Sequence, residues 1–343
     1  MTPPNAELLE VRRVYGDGKH NAFTDLLLWR DHYYLTFRTA EKHSMPPNGD
    51  VLVLRSRDLL TWEPSARIDT GADDRDAKLA NAGDRLALTF GTWYRRWGDG
   101  TRTIPGLEHD LISHVSFSRD GLCWSVPRQI YGVNYWLWRI LSADDGFWCA
   151  AYHFPFRPDR DRRMIHLLHS SDLLEWTHRC VMRVGGGPGE PALYRPAPGQ
   201  LRCVIRAEGG TDHAWLGESN EPYTEWRWTD LGVMIHAPAV LQVGSRWIVA
   251  GRSRPEDLPA GIYPLDSGRH TSVWEIREGQ VHHLLTLPSA GDCSYPGLAL
   301  GPESEVVMSY YSEHERGPLA AEFPVPADIF VARFRLSPRD RSG

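Results

Sequence analysis

Apolar residues along the chain come in short runs, each broken after a few positions by Gly, Pro, Asn or Asp. Runs of that length with turn residues between them predict β-strands joined in antiparallel pairs. Six pairs stand out: Asn21–His43, Arg75–Trp93, Trp136–Phe154, Gly189–Glu208, His236–Arg252 and Asp292–Glu315. The fourth, GEPALYRPAPGQLRCVIRAE, shows the pattern of all. Leu193, Leu201, Val204 and Ile205 suit strands, while Pro196, Pro198 and Gly199 suit the turn. Ionisable groups collect at one end of the hairpin: Glu190 opens the first strand, and Arg206 and Glu208 close the second.

A second pattern recurs beyond the strand pairs. Ser56–Trp62, Ser118–Trp124 and Ser170–Trp176 all read S-x-D-x-x-x-W, and a looser copy at Tyr223–Trp226 lacks the Asp. In such a turn Ser and Asp bond nearby backbone N–H groups and the Trp packs between sheets, a structural role. Taking Asp25, Asp76, Arg139, Glu190, His236 and Tyr295 as equivalent positions, the repeat steps are 51, 63, 51, 46 and 59 residues. Units of that size, stacked radially as small antiparallel sheets, predict an all-β, six-bladed β-propeller. A five-bladed propeller is the alternative, because the register of the second and third units is the loosest. No linker divides the chain, so residues 1–343 are expected to form a single propeller domain. Tyr94–Asp110 and Phe154–Arg163 read as rim loops, and Pro338–Gly343 as a frayed end.

Composition narrows the function. The 14 Trp, 31 Gly and 25 Pro fit many short strands and turns. A formal net charge of -6 without a basic block argues against a nucleic-acid partner. No apolar run is long enough to span a bilayer, and MTPPNAELLEVRR lacks a signal-type apolar core, so a cytoplasmic protein without a membrane partner is expected. Cys123, Cys149, Cys180, Cys203 and Cys293 are odd in number and show no CxxC spacing; reduced thiols are expected, with no metal centre. Gly185–Glu190 lacks the Lys-Ser/Thr of a phosphate loop, and HEXXH spacing is absent, so no cofactor is expected.

In a propeller, the innermost strand of each blade lines a central funnel. The six equivalent positions are polar or ionisable where a plain strand favours Val or Ile. The second strands end in Phe37-Arg38, Ile205-Arg206, Gly251-Arg252 and Tyr310-Tyr311. Three arginines from blades one, four and five would then share one pocket, and guanidinium forks suit a carboxylate. With this layout the whole chain resembles the sialidase (neuraminidase) superfamily. The S-x-D-x-x-x-W turns look like degenerate Asp boxes, one residue short and without the usual Gly-x-Thr-Trp ending. The family's FRIP segment is absent.

The resemblance implies an exo-glycosidase for a terminal acidic sugar, held by an arginine triad of Arg38, Arg206 and Arg252. It also implies Tyr295 as nucleophile, Glu190 as its proton acceptor, and Asp76, or else Asp25, as acid/base. A sugar carrying its carboxylate on the anomeric carbon repels a carboxylate nucleophile, which favours a neutral tyrosine. Arg139, Tyr311, His43 and His236 are further expected substrate contacts, while Glu208 reads as a rim residue. A uronate lyase is the second reading, kept open by His43, His153, His236 and His314 near strand ends. A non-catalytic glycan-binding propeller is the third. In any of them Trp93, Trp97, Trp138 and Tyr311 are candidates for stacking on sugar faces.

Overall fold

A computed structural model describes residues 5–43, 48–94, 110–153, 163–260, 268–316 and 326–338. Most of these residues lie in strands, grouped in six four-stranded antiparallel sheets. The fold is therefore a six-bladed β-propeller, and the five-bladed alternative falls. Blade one runs outward from the axis as β2 (His20–Trp29), β3 (His32–Ala40), β4 (Asp50–Ser56) and β5 (Glu63–Ile68). Blade two follows as β6 (Asp73–Ala82), β7 (Arg85–Trp93), β8 (Leu111–Ser118) and β9 (Arg128–Ile130). Blade three is β10 (Tyr135–Ala143), β11 (Gly146–His153), β12 (Met164–Ser170) and β13 (Thr177–Met182). Blade four is β14 (Pro188–Tyr194), β15 (Gln200–Ala207), β16 (Trp215–Asn220) and β17 (Arg227–Asp230). Blade five is β18 (His236–Val243), β19 (Arg246–Ser253), β20 (His270–Arg277) and β21 (Gln280–Leu287).

Blade six closes the ring. Its inner strands β22 (Ser294–Leu300), β23 (Val306–Ser312) and β24 (Asp328–Leu336) come from the end of the described chain, and its outer strand, β1 (Ala6–Tyr15), comes from the beginning. The six expected strand pairs are the two innermost strands of each blade. Apolar side chains on facing blades interlock, as where Trp29, Tyr34 and Val53 of blade one meet Leu79, Leu86 and Phe90 of blade two. Burying both faces of every sheet in this way is what stacks the blades.

The S-x-D-x-x-x-W segments link third to fourth strands, and three share one hydrogen-bond scheme. In the first, Ser56 Oγ accepts from Leu59 N, and Asp58 Oδ1 accepts from Leu60 N and Thr61 N, each bond 2.8–2.9 Å. Ser118/Asp120 and Ser170/Asp172 repeat it. Backbone donors that the turn leaves unpaired are thereby satisfied, so these residues serve structure.

One irregularity, repeated in all six blades, sets up the funnel. Pairing of the innermost strand with its neighbour gains one extra residue between Ala22 and Asp25, Arg75 and Lys78, and Leu137 and Ile140. The same slip falls between Gly189 and Ala192, His236 and Ala239, and Ser294 and Gly297. Each is a β-bulge, which re-aims one side chain. The first bulged residues are Phe23, Asp76, Trp138, Glu190, Ala237 and Tyr295. Five have left-handed backbone: φ is 63° at Phe23, 55° at Asp76, 50° at Glu190, 52° at Ala237 and 48° at Tyr295. Non-glycine residues seldom adopt this conformation, and it clusters at functional sites.

Candidate active site

The bulge corrects the sequence-based equivalence. Asp76, Glu190 and Tyr295 do occupy matching positions, but blades one, three and five present Phe23, Trp138 and Ala237, not Asp25, Arg139 and His236. Reactive and apolar groups thus alternate around the ring. The Phe23 ring lies 4.9 Å from that of Tyr295, and Trp138 lies 5.9 Å from it on another side.

Glu190 organises one half of the site. The Tyr295 hydroxyl donates to Glu190 Oε1 at 2.5 Å, and Arg206 Nη1 reaches the same carboxylate oxygen at 2.5 Å and Tyr295 Oη at 3.0 Å. Glu190 Oε2 accepts from the backbone N–H of Ala237 at 2.8 Å. Arg206 Nη2 is held by Glu208 at 2.6 Å, so Glu208 positions the guanidinium. Burial, then the neighbouring Glu190 charge, pushes the Tyr295 hydroxyl well above its ordinary range, although Arg206 and Arg252 oppose this. The phenol is a neutral donor at physiological pH.

Asp76 faces this cluster from blade two. Its Oδ1 is buried and has no hydrogen-bond partner among the described residues. Burial pushes the carboxyl up to about 6, with Lys78 and Arg75 pulling the other way. An acid raised to that level inside a funnel has the character of a proton donor. Lys78, which the sequence reading passed over, is buried beside it. Its ammonium donates to the Thr24 carbonyl at 3.2 Å and stands 4.8 Å from the Trp138 ring centre. Burial, then Arg139, pulls it down to about 8. A lysine set between Ala77 and Leu79 on an inner strand, in RDAKLANA, was the available signal.

The other half is built on Asp292, also passed over. Its Oδ1 takes Arg252 Nη2 at 2.9 Å and the Tyr311 hydroxyl at 2.7 Å; its Oδ2 takes His20 Nε2 at 2.9 Å and His43 Nδ1 at 2.5 Å. These donors hold the carboxyl well below the usual range against the effect of burial. An ionised carboxylate only accepts, so both imidazoles donate to it. His20, His43 and Asp292 ligand atoms lie within 4.8 Å of one another, a spacing open to a metal ion. The set fits one poorly. Arg252 already occupies the carboxylate, and among the described residues buried His20 Nδ1 lacks the acceptor that a metal-bound histidine uses to fix its ring.

Four expected contacts sit elsewhere in the chemistry. Arg38 is fully buried, with Nε and Nη2 on Asp73 Oδ1 at 2.9 and 2.7 Å and Nη1 on the Lys42 carbonyl at 3.0 Å. A Cβ on Gly49 would come within 2.3 Å of Arg38 Nε, so the Gly49 backbone packs directly against that fork. Asp25 is spent on Arg139 Nη1 at 2.6 Å and Leu79 N at 2.8 Å, leaving Asp76 as the acid/base candidate. Arg139 also donates to the Pro238 carbonyl at 2.9 Å and the Pro296 carbonyl at 2.5 Å, which makes it a brace across blades one, three, five and six. His236 donates to the Ala207 carbonyl at 3.0 Å, and burial, followed by the arginines, holds it neutral, down to about 2. Tyr311 stands fully buried behind Arg252, its hydroxyl 2.8 Å from Nη2. Trp93 and Trp138 are wall residues and not exposed platforms. Trp97 and most of both expected rim loops lie outside the described residues.

A separate cavity of about 670 Å³ opens on blade four, lined by Arg202, Glu218, Asn220, Pro222 and Trp226. Its charges pair with one another, Arg202 with Glu218 at 2.9 Å, and it holds none of the reactive groups above. The buried ionisable groups described above gather in the funnel instead. No helix among the described residues is long and apolar enough to cross a membrane.

No family model and no curated protein matches this sequence. Solved structures do. The chain is similar over 97% of its length to the whole of a Dyadobacter fermentans protein of unknown function, with 18% identity and a TM-score of 0.77. It is similar over 92% of its length to Trypanosoma rangeli sialidase, with 12% identity and a TM-score of 0.63, and spans 55% of that chain. It is also similar over 99% of its length to 70% of the phage phi92 endosialidase chain, with 12% identity and a TM-score of 0.64. At these identities the likeness is one of fold: this chain has the propeller on which sialidases are built.

Proposed function

We propose that this protein is a retaining exo-glycoside hydrolase acting on a terminal acidic sugar of the keto-acid class. The carrying observation is Tyr295 Oη bonded at 2.5 Å to Glu190 Oε1, with Arg206 on both atoms. A phenol is a weak nucleophile until a base takes its proton, and Glu190 is within reach to do so. In the first step Tyr295 Oη bonds to the anomeric carbon, its proton passes to Glu190, and the glycosidic bond breaks as Asp76 protonates the leaving oxygen. In the second, water attacks the same carbon and gives its proton to Asp76, and the tyrosyl bond breaks with Glu190 returning the proton. Arg206 and Arg252 supply positive charge for the sugar carboxylate. Structures of Trypanosoma rangeli sialidase hold sialic acid and, as a covalent intermediate, 2,3-difluorosialic acid; a sugar of that class is the substrate proposed here.

The test is Tyr295→Phe against a fluorogenic aryl sialoside. Turnover is expected to collapse while circular dichroism stays that of the parent; a Phe variant that remains active overturns the assignment. An unsaturated, ultraviolet-absorbing product from a uronic-acid glycan would instead support the lyase reading. Binding without turnover would support the non-catalytic one.

A further inference from the structure

We propose that His43 is the third cationic contact for the substrate carboxylate, in the place that Arg38 was expected to fill. The inference rests on the acidic-sugar reading and names one residue of its binding site. With Arg38 sealed against Asp73, the pocket's expected cations on the blade-one side are one short. Five residues beyond Arg38 the chain delivers His43 to the funnel mouth. Its ring stands edge-on to Phe23, with centroids 5.2 Å apart, and Phe23 in turn packs 4.9 Å from the Tyr295 ring. His43 is therefore one aromatic ring away from the proposed nucleophile.

Asp292 fixes its orientation. Nδ1–H points at Oδ2, so Nε2 lies on the opposite edge of the ring, away from Asp292. The two histidines on this carboxylate differ in access: the His20 side chain is 3% exposed and that of His43 is 41% exposed. Only the second can meet a ligand. The same carboxylate anchors Arg252 through Oδ1, so a single acid sets the spacing of both side chains. Around His43 stand Asp76 and Arg75 from blade two, with Arg75 Nη2 3.2 Å from the His43 carbonyl. Asp292 and Tyr311 stand on the blade-six side, Arg252 on blade five, and His20 and Arg38 on blade one. In the proposed contact both ring nitrogens carry a proton, with Nδ1–H on Asp292 and Nε2–H on the incoming carboxylate.

A ligand-by-variant cycle tests this. Binding of the didehydro sialic acid inhibitor and of its carboxamide is measured by calorimetry for wild type, His43→Gln and His43→Arg. One charge-assisted hydrogen bond corresponds to about ten- to hundredfold in affinity. His43→Gln is expected to lose that factor for the acid and less than about threefold for the amide, and His43→Arg to keep the preference for the acid. Equal losses on both ligands, or no loss on either, would overturn the role of His43. Wild type that binds neither ligand would instead overturn the acidic-sugar reading, and this inference with it.

Discussion

Asp76→Asn is the perturbation that separates proton donation from every other role this residue could have. The structure places the carboxyl at about 6, against an ordinary 3.8, with burial as the main cause. In the proposed mechanism bond cleavage needs the protonated form. At pH 5 that form outnumbers the ionised one about tenfold, and at pH 7 the ratio is reversed. kcat/KM of the wild type is therefore expected to fall about tenfold per unit as pH rises above 6. The Asn variant cannot donate, and loss of general acid catalysis costs about 10²–10⁴ in rate, or roughly 3–5 kcal/mol. That loss belongs on substrates with a poor leaving group, such as a sugar-linked sialoside. A nitrophenyl sialoside, whose leaving group departs without a proton, loses far less. The assay is the pH profile of kcat/KM for both substrates, before and after substitution. Removing the Lys78 charge by Lys78→Gln is expected to move the limb upward, since Lys78 pulls Asp76 down. Equal losses on the two substrates, or a limb near pH 6 that persists in the Asn variant, would refute the reasoning.

Two further predictions concern the scaffold. Arg139→Met strips Asp25 of its ion pair and two proline carbonyls of their donor; it is expected to cost about 3–5 kcal/mol in urea unfolding, as for other orphaned buried charges. A change below about 1 kcal/mol would show that the brace is dispensable. Asp120 is held down to about 2, first by the Cys123 N–H and then by that of Leu122. Its stabilising contribution is complete above its unfolded value near 4 and disappears as pH falls through 2. Asp120→Asn should therefore unfold earlier than wild type at pH 7 and match it near pH 2; a pH-independent gap would contradict the sign.

The strand pairs were legible because their apolar runs and turn residues repeat six times. Asp76, Glu190 and Tyr295 were legible because each puts a polar group where a strand wants a branched apolar one. Asp25, Arg139 and His236 were mistaken for the same reason. They are also polar and stand one or two residues from the true position, and the extra residue of a bulge shows only in backbone dihedrals. Arg38 misled because its partner, Asp73, lies 35 residues away on the next blade. Asp292 and His20 went unnoticed because each stands at the very edge of a strand pair, and they meet only when blade six closes against blade one.

The bulge at the funnel mouth also separates where a side chain points from what it is. Its direction comes from the register of the sheet, and Phe, Asp, Glu, Ala and Tyr all accept the same left-handed backbone there. The ring is in effect a turret of six mounts, on which chemistry can be exchanged without rebuilding the barrel beneath. Ala237, the smallest occupant, shows how far that goes. With almost no side chain to offer, it contributes its own N–H to Glu190 at 2.8 Å, and the mount itself becomes part of the machinery.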